Sequence, residues 1–286
     1  VSHLPIGLDG SCNGLQHYGA LLRDPRGGSG VNLTDAEVPA DIYGEVATEF
    51  RRLLRRDSGD PMADAILALS PDRKTAKRPV MTLPYGSTRQ SCRQYLRDEF
   101  NKGLEKFRDT EHDSWKMATY ATPLMWEAIG NVVVAAREGM DWLKACIAEV
   151  NSLGLHASWL SPVDFPVYQP YAERETIQVS TDLFGRVRLS LEGAEIAVKG
   201  MRARNGVAPN FVHALDASHM VMTILEAQAR GIDSLSMIHD DFGTHAADTE
   251  EFFDIIRLTF VRMYYDRDWL MAWKKEIERL DNRLEL

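Results

Sequence analysis

The sequence predicts a helix-rich α+β fold. Long segments with apolar residues at helical spacing alternate irregularly with short apolar runs, and the short runs do not recur as regular strand–helix–strand units. The 286 residues are 44% hydrophobic and 26% charged, ordinary globular composition with enough chain to bury a sizeable core. There is no internal repeat and no low-complexity tract, and no apolar run is long enough to span a bilayer.

Taken in order, Ser2 to Leu8 reads as a buried strand ending in the turn Asp9-Gly10. Leu15 to Arg23 is predicted as a helix, and Gly27-Gly28-Ser29-Gly30 as a loop. Asp35 to Arg56 is predicted as a helix with Ile42, Val46, Phe50, Leu53 and Leu54 on one face. Arg51, Arg52, Arg55 and Arg56 gather at its end, where cations suit the helix dipole. Ala63 to Leu69 is a short helix, Arg73 to Tyr85 a basic segment closed by Gly86, and Arg89 to Phe107 a helix. Pro123 to Leu153 reads as one long apolar helical stretch. Strands follow at His156 to Leu160 and Phe165 to Tyr168, and Thr176 to Ser180 with Arg186 to Ser190 form a hairpin around Asp182-Leu183-Phe184-Gly185. Phe211 to Arg230 is helical, Ser234 to Gly243 is strand, tight turn and strand, and Glu250 to Tyr265 and Trp269 to Leu280 are helices.

The formal net charge of −9 argues mildly against a phosphate-rich partner. The charge is segregated, however. Ala47 to Arg108 carries 14 Lys+Arg against 8 Asp+Glu, and the remainder 19 against 34. The three cysteines, Cys12, Cys92 and Cys146, make neither a disulfide framework nor a zinc knuckle and suit a reducing compartment.

Asp9 and Asp240 each end a short apolar strand, more than two hundred residues apart. If the strands are neighbours, the carboxylates meet at one edge and can cradle two Mg²⁺ ions. The plain alternative is that each Asp caps a turn. Two features favour the cation: adjacent acids in Ile-His-Asp-Asp-Phe-Gly make an electrostatically poor turn, and Gly10 lets backbone approach an ion closely.

In Arg73-Lys74-Thr75-Ala76-Lys77-Arg78-Pro79-Val80-Met81-Thr82-Leu83-Pro84-Tyr85-Gly86, Arg73 and Lys77 are i,i+4 neighbours on a helix, and Met81 and Tyr85 continue the stripe. Two cations, an apolar group and a phenol suit a nucleoside triphosphate. A solvated basic helix fits the same run, and Pro79 and Pro84 interrupt helical geometry.

With Asp9-Gly10-Ser11-Cys12-Asn13-Gly14-Leu15-Gln16-His17, Arg73-x3-Lys77-Arg78-x6-Tyr85-Gly86 and Ile238-His239-Asp240-Asp241-Phe242-Gly243-Thr244, the chain resembles the single-subunit, bacteriophage-type DNA-directed RNA polymerases. Asp41-Ile42-Tyr43-Gly44 and Ala208-Pro209-Asn210-Phe211-Val212-His213 add two further segments in family order. The resemblance covers most of this chain but only the C-terminal part of a family polymerase. It implies a right-hand palm and fingers: palm at 1–45, fingers at 46–155, and palm again at 156–286 with a promoter-specificity hairpin at about 172–200. By the same resemblance Asp9 and Asp240, assisted by the Gly10 carbonyl, hold two Mg²⁺ ions. Arg73 and Lys77 grip the triphosphate, Lys77 protonates the pyrophosphate, and Arg78 lies near the phosphates. Tyr43, Met81 and Gly86 join the substrate site, while Tyr85 and His213 sense the ribose 2′-hydroxyl, which is both donor and acceptor.

The implied activity is template-directed RNA synthesis from NTPs, with DNA template and nascent RNA as partners and, for a phage-encoded chain, the host bacterial cytoplasm as location. Val163-Asp164 stands where the family tends to have Asp-Gly. The thumb and the N-terminal domain have no counterpart, so a separate chain supplying them is expected, or else a truncated, non-catalytic fragment. A family A DNA polymerase is a further alternative, opposed by Gly10-Ser11-Cys12 after the aspartate. A two-metal nuclease leaves the Tyr85/His213 pair without a purpose.

Overall fold

A computed structural model describes residues 4–108, 111–182 and 185–286. The chain begins with strand β1 (Ile6–Asp9), helix α1 (Asn13–Leu21) and the short helix α2 (Pro25–Gly30). The glycine run predicted as a loop is this second helix. Asp24 caps it with Pro25 in its first turn, and Gly19 of α1 lets the two helices approach closely, since a Cβ there would lie 3.3 Å from the Gly28 backbone. Ordinary helix propensity is overridden by capping and packing. The first strand is also not buried: only Leu8 is half-buried. Ser2, where that strand was expected to start, lies outside the described residues.

Helix α3 (Ile42–Arg56) starts seven residues later than the pattern predicted, past Pro39, with Asp41 at its cap position. Its buried face is the predicted one, and Val46, Phe50, Leu53 and Leu54 are wholly enclosed. Each such side chain contributes roughly 1.5–3 kcal/mol of burial. Three of the four arginines at its end are held locally: Arg51 on the Pro71 carbonyl, Arg52 on Glu49 and Arg56 on Glu127.

Helix α4 (Pro61–Ala68) leads to α5 (Arg73–Met81), which opens with a reciprocal Asp72–Thr75 capping box. Pro79 sits inside α5 and removes the donor that the Thr75 carbonyl would accept. The helix ends two residues later, and tight turns carry the chain onward: Leu83 N–H to the Val80 carbonyl, Tyr85 to Thr82 and Gly86 to Leu83. Pro84 and Tyr85 therefore lie in turns beyond the helix. Helix α6 (Arg89–Phe107) has the predicted limits.

The apolar stretch predicted as one helix is two, α7 (Ser114–Val132) and α8 (Val134–Ser152), broken at Val133 with φ −101° and ψ 68°. Three consecutive valines disfavour a continuous helix. Strands β2 (Ser158–Leu160) and β3 (Pro166–Tyr168) fall within the predicted spans and pair antiparallel with each other. Strands β4 (Ala172–Thr181) and β5 (Val187–Val198) form a longer hairpin than the periodicity suggested. Leu183 and Phe184 of its expected turn lie outside the described residues.

Helix α9 (Gly200–Ala229) begins eleven residues before the predicted start and runs through Pro209. Strands β6 (Leu235–Ile238) and β7 (Asp241–Thr244) and helices α10 (Thr249–Tyr265) and α11 (Trp269–Glu278) close the chain. The structure is thus mixed helix and sheet, dominated by helix. One large core joins α1 and α3 to α9, with Trp159, Phe211 and Trp273 meeting edge to face or tilted. A second core, built from Ala227, Ile232, Phe242, Phe252 and Ile255, seats the antiparallel sheet β1-β7-β6 beside α9 and α10. Among the described residues no helix is long and apolar enough to cross a membrane. The three cysteines are free and buried.

Candidate active site

Strand pairing brings the two ends of the chain together. β1 and β7 run antiparallel with Asp9 opposite Asp241, so Asp240, next in the β6–β7 turn, stands beside Asp9. His239 takes the left-handed conformation, φ 55°, that the tight turn requires. Burial, with the Asp9 and Asp216 charges and a hydrogen bond to Asp9, raises the Asp240 carboxyl to about 6. Two acids sharing a site disfavour joint ionisation, which a cation relieves. The approach is also open on the backbone side: a Cβ at Gly10 would fall 3.2 Å from Asp240 Oδ2. The donor set is all oxygen, as Mg²⁺ prefers, so these residues fit that ion.

Tyr43, near the start of α3, links this pair to α5. Burial pushes its hydroxyl far up, and it hydrogen-bonds to Cys12 and feels the Asp9 charge. The Arg73 guanidinium lies 4.9 Å from the centre of the Tyr43 ring and donates from Nε to Asp41 Oδ2 at 2.8 Å. Asp41 thus orients Arg73 instead of capping α3 through its side chain. Lys77, one turn on from Arg73, is exposed, as is Met81. Arg78 occupies another face: it lies over the Tyr95 ring at 4.3 Å and 3.8 Å from Asp98, both on α6. A surface cleft of about 630 Å³ borders Arg73, but Asp41, Glu45 and Glu49 line it as well, which suits phosphate poorly.

On the opposite side, the turn after α5 docks on α9. Gly86 takes φ +82°, and a Cβ there would lie 3.3 Å from Pro209 Cγ. One helical turn further along α9, His213 stacks on Tyr85 with ring centroids 4.8 Å apart and 23° between planes. Burial raises the Tyr85 hydroxyl beyond its ordinary range, and it sits within the fields of Asp216 and Asp240. Burial lowers the His213 imidazole.

Beneath this pair lies a polar network that the sequence reading did not single out. Asp216, 3% exposed, accepts from Asn13 Nδ2 at 2.7 Å, and His239 Nδ1 stands 3.4 Å from its other oxygen. His17 Nε2 lies 3.9 Å from Asp216 Oδ1, and His17 Nδ1 meets the Tyr264 hydroxyl at 2.6 Å. A sequence cue existed: His213, Asp216 and His219 follow one another at i,i+3 and so share one face of α9. His213, Asp216 and His239 also converge as metal ligands would. Both Asp216 oxygens already have partners, so a hydrogen-bond network accounts for that convergence.

A sequence profile of the DNA-dependent RNA polymerase family matches residues 1–285. The chain is 38% identical over 274 residues to the chloroplastic DNA-directed RNA polymerase 3B of Nicotiana tabacum, covering 92% of this chain and 27% of that protein. It is 34% identical over 266 residues to the mitochondrial DNA-directed RNA polymerase of Mus musculus, covering 92% and 22%. DNA-directed RNA polymerase 2A of Nicotiana tabacum is 36% identical over 275 residues, covering 92% and 80%. The chain therefore spans about a quarter of the first two relatives. Those two carry organellar names, and none of the three points to a bacterial cytoplasm. The match to RNA polymerases removes the DNA-polymerase alternative. With a family match along nearly its whole length, the chain belongs to the single-subunit, bacteriophage-type DNA-dependent RNA polymerases.

Proposed function

We propose that this chain is the nucleotidyl-transfer centre of a DNA-directed RNA polymerase, taking a DNA template, the 3′ end of a nascent RNA and NTPs. One observation carries the reading. Asp9 and Asp240, far apart in the sequence, meet at one sheet edge, and Asp240 lies within the electrostatic reach of Tyr85, which stacks on His213. The β1-β7-β6 sheet with α9 and α10 corresponds to a palm, α3 to α8 to fingers, and the β4–β5 hairpin to a promoter-reading element. The thumb and the N-terminal domain would come from elsewhere in the working enzyme.

Asp9 and Asp240 would hold two Mg²⁺ ions, with the Gly10 carbonyl beside them. Bound Mg²⁺ lowers the pKa of an attacking hydroxyl and stabilises charge on the departing pyrophosphate. The residues of the chain supply position and charge. Arg73, held by Asp41 and Tyr43, and the exposed Lys77 offer two cations one turn apart to the triphosphate, and Lys77 carries a proton for the leaving group. Arg78 would reach phosphate only on leaving Asp98. Met81 and Gly86 border the nucleotide, and Tyr85 with His213 faces the sugar.

The test is primer extension on a primed DNA template with Mg²⁺ and NTPs, by the chain with and without a complementary N-terminal part. Extension that disappears in Asp240→Ala supports the enzyme. Absence of extension even after complementation rejects it in favour of a non-catalytic fragment.

A further inference from the structure

Tyr85 and His213 face the sugar in the function proposed above, and this inference rests on that reading. A tyrosine hydroxyl both donates and accepts, so what it offers the nucleotide depends on what already occupies it. Asn13, at the start of α1, supplies the answer. Its Nδ2 donates to the buried Asp216 Oδ1 at 2.7 Å. Asp216 is held ionised: although burial opposes the charge, the neighbouring His17 and hydrogen bonds from Asn13 and His239 leave its carboxyl below the ordinary value. An ionised carboxylate only accepts, so the amide cannot turn its oxygen toward it.

The hydroxyl end of Tyr85 rests on the same helix start. A Cβ at Gly14, the next residue, would lie 3.1 Å from Tyr85 Cζ, so the hydroxyl end of the phenol lies beside the start of α1, within the influence of the Asn13 amide. With one amide hydrogen on Asp216, the other is free to be offered to the Tyr85 oxygen. That oxygen then accepts from Asn13, and its own hydrogen stays available for a different partner.

We propose that Asn13, clamped by Asp216, is a positioning residue for sugar selection: it commits the Tyr85 hydroxyl to donating its hydrogen to the ribose 2′-oxygen of the incoming nucleotide. A deoxynucleotide leaves that donor unanswered in a half-buried site, and the unpaired donor penalises it. The stack on His213 fixes the ring plane. Asn13 fixes the direction of the hydrogen.

The experiment compares kcat/KM for an NTP with that for its dNTP in the complete polymerase, for Asn13→Ala, Tyr85→Phe and the double variant. Asn13→Ala is expected to lower the NTP:dNTP ratio about tenfold and to add nothing once the hydroxyl is gone in Tyr85→Phe. Equal losses for both nucleotides, with the ratio intact, would mean a merely structural asparagine and overturn the proposal. Additive effects in the double variant would also overturn it. If Tyr85→Phe alone leaves the ratio unmoved, the sugar-site reading falls and this inference with it. A relaxed ratio in Tyr85→Phe beside an unchanged one in Asn13→Ala removes the inference alone. Asp216→Asn, which frees the Asn13 amide to turn, gives the same readout should the alanine variant fail to fold.

Discussion

Tyr85 lies flat against His213, 4.8 Å between ring centroids, and this contact joins the turn after α5 to the middle of α9. The stack uses the ring and leaves the hydroxyl for other work. Ring and hydroxyl can therefore be separated by mutation.

Tyr85→Phe keeps the ring and removes the hydroxyl. Turnover with NTPs is expected to stay within severalfold, while preference over dNTPs falls about tenfold, the worth of one hydrogen bond. Tyr85→Leu, which removes the stack as well, is expected to lose turnover with both. Single-nucleotide incorporation with matched NTP and dNTP measures both effects. An unchanged ratio in Tyr85→Phe rejects the sugar role.

Asp9→Asn and Asp240→Asn test the paired carboxylates. Each change is nearly isosteric and relieves a crowded acid pair, so unfolding midpoints are expected to hold or rise. Turnover is expected to fall by about a thousandfold or more, as when charge stabilisation is removed from a transition state. Near-normal turnover in either variant would refute the shared cation site.

Gly14→Ala sets two effects against each other. Alanine favours a helix over glycine by about 0.5–1 kcal/mol. The added Cβ would meet Pro84 Cβ at 2.7 Å and Tyr85 Cζ at 3.1 Å. Overpacking of that kind costs about 1–3 kcal/mol, so net destabilisation and a displaced Tyr85 are expected. Urea unfolding gives the sign, and a stabilised variant would show that the turn after α5 moves freely.

His219 gives the fold a pH dependence. It is 3% exposed, and burial depresses its imidazole to about 4, with Nε2 on the Ile256 carbonyl. The unfolded chain takes up the proton first as pH falls below about 6.5. Stability is therefore present above that value and lost progressively down to about pH 4, by roughly 2 kcal/mol at pH 5. Denaturant midpoints at pH 7.5 and pH 5 measure the loss. His219→Leu should flatten this part of the profile, and an unchanged pH slope in that variant would exclude His219 as its source.

Much of the site was visible in the chain itself. Asp9 and Asp240 stood out because each ends a short apolar strand, one in a turn of two adjacent acids and the other beside a glycine that admits an ion, and Arg73 and Lys77 because i,i+4 spacing stacks them on one helix face. Spacing put Tyr85 on the same stripe, while its sugar role and His213 came from resemblance; in the structure Tyr85 lies in turns beyond the end of that helix. Asn13 was given no role within its motif and Asp216 went unnoticed, since a polar residue at a helix start and an aspartate within a helix are commonplace until burial is known. The glycine run of α2 was misread because its helix depends on a cap and on packing against Gly19. The α7–α8 stretch was misread because periodicity survives a one-residue break.

The sequence by itself determined the kinds of element and most of their faces, because helical and strand periodicities are local and each apolar face must be buried somewhere. Only the tertiary structure decided that Asp9 stands beside Asp240, that Asn13 is clamped by Asp216, and that Arg78 faces α6 while Arg73 faces Tyr43. Those choices belong to strand pairing and core packing across the length of the chain. Their energies are summed over many distant contacts and leave no mark at the residues they bring together.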